Sequence, residues 1–417
     1  MVRKLTPREL RQRKASIKFA KTFIPLAMLL WVFKNLPYAI LTLSQFLDSY
    51  ISMSTYTWSI HKDDWCKGFT NPPNAEFPGG GDGKVVVVTG ANSGIGYPTA
   101  KYMALLGASK VVLGCRTKKK CEYAKLMIDA EVESLCFPDG GYTSNVMDPD
   151  ASLDLESLES VKKWSDEVAS SLPYVSHLAL NADIMSVPLN PRNPSTGLEP
   201  QIHTNHVAHH YLTSLLLPSL RSTPPLVSRR VVTVSSLAAH TPLSYDGEDL
   251  NWNTRHHDTL KAYGQSKRAN LLFAQSLHDK LGAYGILSLA SHPGYSRTNL
   301  FSNNWHFAPA WLKDLATRNP VLSMSSEEGS LMSVRSLYDE TLGSGCYVTP
   351  AVWAVGPPIA SCPKERKGFR GWGGEGEVVY PFLGSVAGKI WGGWEWKKND
   401  VEVLEKWTVG VTGSEIK

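Results

Sequence analysis

The chain has 417 residues, 42% of them hydrophobic, enough for one large core with extensions. The formal charge of +5 is unevenly placed, since nine of the 43 Lys/Arg but only one of the 38 Asp/Glu fall within residues 1–34. The rest of the chain is slightly acidic, which argues against a nucleic-acid partner. Cys66, Cys115, Cys121, Cys136, Cys346 and Cys362 show neither metal-ligand spacing nor a dense framework. They suit a reduced compartment, such as the cytosolic side of a membrane.

Residues 1–50 read as a basic and hydrophobic segment for membrane association or targeting. Thr22–Phe33 and Leu36–Leu47 are mostly apolar, separated by Lys34 and Asn35 and broken by Pro25 and Pro37. One span needs about 20 apolar residues, which neither run reaches alone. Residues 19–47 therefore read as an imperfect span or two shallow interfacial segments, as a cleaved targeting peptide, or as an amphipathic helix packed on the protein itself. A span would keep the basic N-terminus cytoplasmic and send the remainder across. That conflicts with six unpatterned cysteines, so interfacial attachment is preferred. The expected location is the endoplasmic reticulum or another organelle membrane.

Residues 51–82, with Pro72, Pro73 and Gly79–Gly81, read as a linker. Lys84–Gly96, KVVVVTGANSGIG, then runs from a fully apolar strand into a glycine-rich turn, and Tyr97–Leu106 continues as a helix. Such a turn brings backbone N–H groups to a phosphate at the helix N-terminus. From here strands and helices alternate, which predicts an α/β fold of Rossmann type, a doubly wound parallel sheet with helices on both faces.

Thr89–Gly96, TGANSGIG, resembles the TGxxxGxG signature of the short-chain dehydrogenase/reductases, and later motifs follow in that superfamily's order. The resemblance covers about residues 83–350 and implies that Thr89, Gly90, Asn92, Ser93, Gly94, Ile95 and Gly96 bind a nicotinamide dinucleotide. The second strand, Lys110–Cys115, ends in Arg116 with Lys118 and Lys119 close behind, where an acid would select NAD(H). The expected cofactor is therefore NADP(H). Asp154, in an LDL segment, reads as an adenine contact, a helix N-cap, or both. Leu135–Pro149 reads as a surface insertion. HLALNADIM, His177–Met185, is similar to the superfamily's fourth-strand segment and assigns Asn181 and Ala182 to the cofactor, with Asp183 standing in place of a glycine.

Gly197–Leu220 reads as one long helix, in which Asn205 matches the superfamily's proton-relay asparagine. His203, His206, His209 and His210 lack an acid or cysteine to complete a metal shell, so no metal is expected. Arg230–Ser236 is a fifth strand ending in two serines, and Tyr263 and Lys267 form a YxxxK pair on one helix face. The resemblance implies a catalytic set of Asn205, Ser236, Tyr263 and Lys267, with Tyr263 and Lys267 also touching the cofactor. An ammonium beside the phenol is expected to lower its pKa toward neutrality. Pro293, Gly294 and Thr298 would shape the nicotinamide site, His292 would pack at a strand end, and Phe301–Lys313 would supply either a substrate lid or a plain core helix.

Residues 351–417 form a Gly- and Trp-rich extension that would line the substrate side or touch lipid. The AYGQSKRANLL and HPG forms resemble the retinol-dehydrogenase-like and WW-domain-oxidoreductase-like branch. They imply an oxidoreductase acting on a lipophilic alcohol or carbonyl compound, with homo-oligomerisation left open. A pigment reductase similar to the protochlorophyllide reductases, and a non-catalytic cofactor-binding scaffold or redox sensor, remain as alternatives.

Overall fold

The computed structural model describes residues 65–70, 82–240, 245–296, 323–352, 355–362 and 398–417, all within the unit Ser49–Lys417. Residues 19–47, most of the linker, Thr298, the aromatic stretch Phe301–Lys313, and the tail motifs Gly368–Glu377 and Lys389–Glu395 lie outside the described residues.

The described elements run β1 (Val85–Thr89), α1 (Gly96–Leu105), β2 (Lys110–Gly114), α2 (Lys118–Cys136), β3 (Val146–Met147), α3 (Leu158–Ser171) and β4 (His177–Leu180). Then come α4 (Pro200–Ile202), a π-helical turn (His203–Val207), α5 (Ala208–Arg221), β5 (Arg229–Val234), α6 (Thr259–Leu281) and β6 (Ile286–Ser291). The set closes with α7 (Ser326–Tyr338), β7 (Tyr347–Val352), β8 (Val355–Ser361) and α8 (Lys398–Thr412). The sheet order is β3-β2-β1-β4-β5-β6-β7-β8; the first seven strands are parallel and β8 is antiparallel to β7.

Every residue of β1 is buried, as its unbroken apolar run requires of a strand covered on both faces. Val85 and Val87 share a core cluster with Leu178 and Leu180 of β4, Trp164 of α3, Leu212 of α5 and Phe273 of α6. The alternate residues Val86 and Val88 are buried on the other face, where α1 packs against α7. The expected double winding is therefore observed.

Several local expectations are corrected. Leu135–Pro149 is not a surface insertion: α2 extends to Cys136 and the segment then supplies the edge strand β3, paired with β2. Asn145 anchors that return, its buried Nδ2 donating to the carbonyls of Ala104 and Ala108. The N-cap of α3 is Ser157, whose Oγ accepts from the Ser160 N–H, and not Asp154, which accepts from the Glu156 N–H. The helix expected over Gly197–Leu220 begins at Pro200 and is interrupted by the π-helical turn.

All six cysteines are paired, which overturns the expectation of free thiols in a reduced compartment. Cys66 bridges to Cys136, Cys115 to Cys121 and Cys346 to Cys362, with Cα–Cα distances of 5.2, 5.7 and 4.1 Å. Two of these pairs are far apart along the chain and show no spacing rule; the fold brings them together.

Beyond residue 350, β8 extends the sheet and α8 docks on α6. Leu404 of α8 is buried with Leu250, Ala269 and Leu272, and Lys280 pairs with Glu405. Among the described residues no helix is long and apolar enough to cross a membrane.

Candidate active site

The chain leaves β1 for β2 on one side, yet β4 lies on the other side of β1. That reversal opens a crevice at the carboxyl ends of the strands, the place where open α/β sheets bind ligands. Gly90 follows β1, Asn181 follows β4, Ser236 follows β5 and Pro293 follows β6, so four sequence-distant motifs reach one rim.

The first wall is the β1–α1 turn. Gly90 has φ +69°, and a Cβ there would lie 3.1 Å from Ala182. A Cβ on Gly96 would lie 2.3 Å from the Gly90 carbonyl oxygen, so the turn closes only with glycine at both positions. Asn92, Ser93 and Gly94 remain accessible on the turn, whereas Ile95 is buried. Helix α1 has no side-chain cap and no acid in its first turn. Its N-terminal N–H groups and dipole thus suit an anion, and the residues present fit a dinucleotide pyrophosphate.

Thr89 joins this wall to β4. Its Oγ1 accepts from the N–H groups of Asn181 and Ala182, each at 2.9 Å, while Asn181 Nδ2 donates to the Thr89 carbonyl at 2.9 Å. Thr89 Oγ1 also meets His209 Nε2 at 2.9 Å, and His209 Nδ1 lies 3.0 Å from the Asn205 carbonyl. A carbonyl only accepts, so Nδ1 carries the proton and Thr89 donates to Nε2. Burial holds His209 neutral, its pKa lowered to about 4. Thr89 thus holds Asn181 and Ala182 at the rim, and His209 braces Thr89. That role had no signal in the sequence.

The second wall is α6. The capping carboxylate of Asp258 accepts from the N–H groups of Leu260 and Lys261 and sets the helix start. One face then carries Tyr263 and Lys267, both buried. Their partner is unexpected. Tyr263 donates its hydroxyl to Asp183 Oδ2 at 3.1 Å, and Lys267 Nζ lies 2.8 Å from the same oxygen. Lys267 also donates to the Val234 carbonyl at 3.2 Å. The expected lowering of the Tyr263 pKa is therefore overturned: burial raises it well above 10 and the Asp183 charge raises it further, against a smaller opposing hydrogen bond from Ser236.

Ser236 is half-buried and within hydrogen-bonding reach of Tyr263, whereas Ser235 is buried and donates to the Lys267 carbonyl. That separates the two serines: one faces the Tyr263 phenol, the other braces the helix. The side-chain amide of Asn205 is engaged with the segment after β4 and with α6. Its Oδ1 accepts from the Ile184 N–H at 2.8 Å, and its Nδ2 donates to the Ile184 carbonyl and to Ser266 Oγ, each at 2.9 Å. Its amide clamps the segment that carries Asp183, a positioning role made on the π-helical turn, a feature often found at functional sites.

At the far end of the crevice, Arg116 is two-thirds exposed and pairs with Glu156 at 3.0 Å. Asp154 lies close by, two residues before Glu156. Lys118 is held by Asp148 at 3.1 Å and Asp150 at 3.4 Å, and α2 has neither a side-chain cap nor a first-turn acid. The acid Glu156, remote in sequence, is what the reading of this region missed. On the β6 side, Pro293 and Gly294 are partly exposed, with Gly294 at φ +63° and its N–H donating to His292 Nδ1. His292 is buried against His240 and Tyr347, a packing residue as expected.

His206 meets Thr408 Oγ1 at 3.0 Å, His203 meets Thr196 Oγ1 at 2.9 Å, and His210 packs on Phe273. No cluster among the described residues could hold a metal ion.

A family model described as short chain dehydrogenase matches residues 84–308. Retinol dehydrogenase 13 of Homo sapiens is 37% identical over 237 residues, 57% of this chain and 65% of that protein. Retinol dehydrogenase 14 of Mus musculus is 36% identical over 242 residues, covering 56% and 68%. The chain thus spans just under two-thirds of the length of the first of these relatives. A crystal structure of a Mycobacterium paratuberculosis protein is similar at a TM-score of 0.52 and 30% identity, over 80% of this chain and 95% of that one. The chain belongs to the short-chain dehydrogenase/reductase family, in its retinol-dehydrogenase-like branch.

Proposed function

We propose that the protein is an NADP(H)-dependent oxidoreductase that interconverts a lipophilic alcohol and its carbonyl compound. The convergence of Ser236, Tyr263 and Lys267 on the rim to which the uncapped N-terminus of α1 also opens carries this reading. Retinol, in the names of the relatives, is such an alcohol.

When bound, the nicotinamide supplies or accepts the hydride at the substrate carbon. The residues of the chain do the rest. Ser236 Oγ and the Tyr263 hydroxyl hold the substrate oxygen, which fixes the carbon for transfer. Tyr263 passes the proton to or from that oxygen. Lys267, fixed by the Val234 carbonyl, places a cation beside the phenol and the nicotinamide ribose. Gly90 to Gly96 would cradle the pyrophosphate, and Asn181, Ala182, Pro293 and Gly294 would frame the nicotinamide. Arg116, with Lys118 and Lys119 next to it at the acid-free start of α2, favours a 2′-phosphate on the adenosine ribose, and Asp154 would contact the adenine.

Titration of the full chain with NADPH and NADH, followed by fluorescence quenching, tests the cofactor. Tighter NADPH binding supports the reading, and binding of neither would overturn it in favour of a scaffold. A screen of retinoid, steroid and other lipid carbonyls then tests the substrate class.

The disulfides bear on location. With all six cysteines paired, the objection to sending the domain across a membrane disappears, and the basic N-terminal flank favours that orientation. We place the catalytic domain on the oxidising side of an organelle membrane, tethered through residues 19–47. Protease protection of sealed vesicles, with alkylation of thiols before and after reduction, tests this; a protease-accessible domain with free thiols would refute it.

A further inference from the structure

We infer that Asp183 is a positioning residue that holds Tyr263 as the neutral phenol and so biases the site toward carbonyl reduction. One carboxylate oxygen serves both functional groups of α6, accepting from Tyr263 at 3.1 Å and lying 2.8 Å from Lys267 Nζ. Lys267 is 1% exposed, so its charge is balanced locally, and Asp183 is the carboxylate that balances it. A phenolate at Tyr263 would set a second negative charge beside Asp183 in a buried site, which the pair disfavours. The carboxylate is held for this contact by Asn205, which grips both backbone polar groups of Ile184, the next residue.

The groups facing the phenol come from every wall. Lys267 lies on its own helix, Asp183 on the loop after β4 and Ser236 at the end of β5. His209 of α5 feels the charges of Lys267 and Asp183 but stays neutral, chiefly through burial. The sum leaves one cation and one anion, with no charge to spare for a phenolate.

This inference rests on the proposed role of Tyr263. In reduction the hydride forms the new C–H bond, the Tyr263 O–H bond breaks, and its proton forms the alcohol O–H. The phenolate left behind recovers a proton from water. Oxidation needs the phenolate at the outset, the form that Asp183 disfavours. The oxidation limb of the pH profile therefore lies at high pH, while reduction runs at neutral pH.

The test uses the full chain labelled with [ζ-13C]tyrosine and titrated by NMR without cofactor or substrate, with Tyr263→Phe identifying the resonance. The wild-type resonance is expected to stay phenolic past the ordinary tyrosine midpoint of about 10. Asp183→Asn and Asp183→Gly are each expected to lower the midpoint by about one unit or more, and Asp183→Glu to restore it. A wild-type midpoint below 10 would overturn the inference without any variant, as would an unmoved midpoint in both substitutions. The titration needs no turnover, so its failure is distinct from failure of the enzymatic reading. In pH profiles of kcat/KM, the oxidation limb of Asp183→Asn should shift to lower pH by the same amount. An unshifted limb would overturn the directional bias.

Discussion

Two cation–carboxylate pairs mark the two ends of the crevice. Arg116 and Glu156 meet at 3.0 Å with side chains 66% and 48% exposed; Lys267 and Asp183 meet at 2.8 Å with side chains 1% and 21% exposed. The separations are nearly equal, yet the pairs do different things. Water screens the first, which costs little to break. Burial isolates the second, and the Asp183 charge helps to raise the Tyr263 pKa. Environment, more than distance, separates the two pairs.

The largest effect should come from the phenol held by the buried pair. Tyr263→Phe should lower turnover by about 10²–10⁴-fold while the Kd for NADPH stays within about threefold, measured by steady-state kinetics and fluorescence quenching. Retained turnover would break the comparison at its buried end. Next in size is Lys267→Met, which leaves Asp183 without its cation. It should cost about 3–5 kcal/mol of unfolding free energy in urea denaturation, against less than about 1 kcal/mol for Glu156→Gln at the exposed pair.

Acid should separate the two ends as well. His206, His209 and His210 are buried and their pKa values are lowered to about 3, 4 and 4, chiefly by desolvation. Above the unfolded value of about 6.5 both states are neutral and stability is complete. Between 6.5 and 4 the unfolded chain binds protons that the native chain refuses, so stability falls by about 1.4 kcal/mol per pH unit for each histidine. Urea midpoints at pH 7.5 and 5 would show the loss, and His210→Phe should reduce its slope by one proton. The smallest effect belongs to the exposed pair: Arg116→Ala should weaken NADPH binding by about tenfold, leave NADH binding unchanged, and alter stability by less than about 0.5 kcal/mol.

Features written in short stretches of chain were legible. The run Val85–Val88, the glycine turn and the i, i+4 spacing of Tyr263 and Lys267 each depend on neighbours a few residues away, and the structure shows all three. The edge strand β3 has only two residues and no apolar run to announce it, so its segment read as a polar insertion. The π-helical turn leaves the helical pattern of the sequence nearly intact, so it was read as uninterrupted helix. The Asp154 cap failed for a local reason: Ser157, three residues on, lies where the helix begins. The disulfides failed for a global one, because Cys66 and Cys136 are 70 residues apart and meet only through the fold.

The sequence by itself determined the strand-and-helix alternation, the glycine corner at the first crossover and which helix face carries the tyrosine and lysine. These follow from backbone sterics and apolar periodicity, which act over a few residues. Only the tertiary structure decided the charge state of the site. Asp183 lies 80 residues before Tyr263, and a local reading paired the phenol with its helical neighbour Lys267 alone. Whether a carboxylate or open space faces that phenol depends on how β4 and α6 pack and how much water they exclude, and those two quantities set the electrostatics.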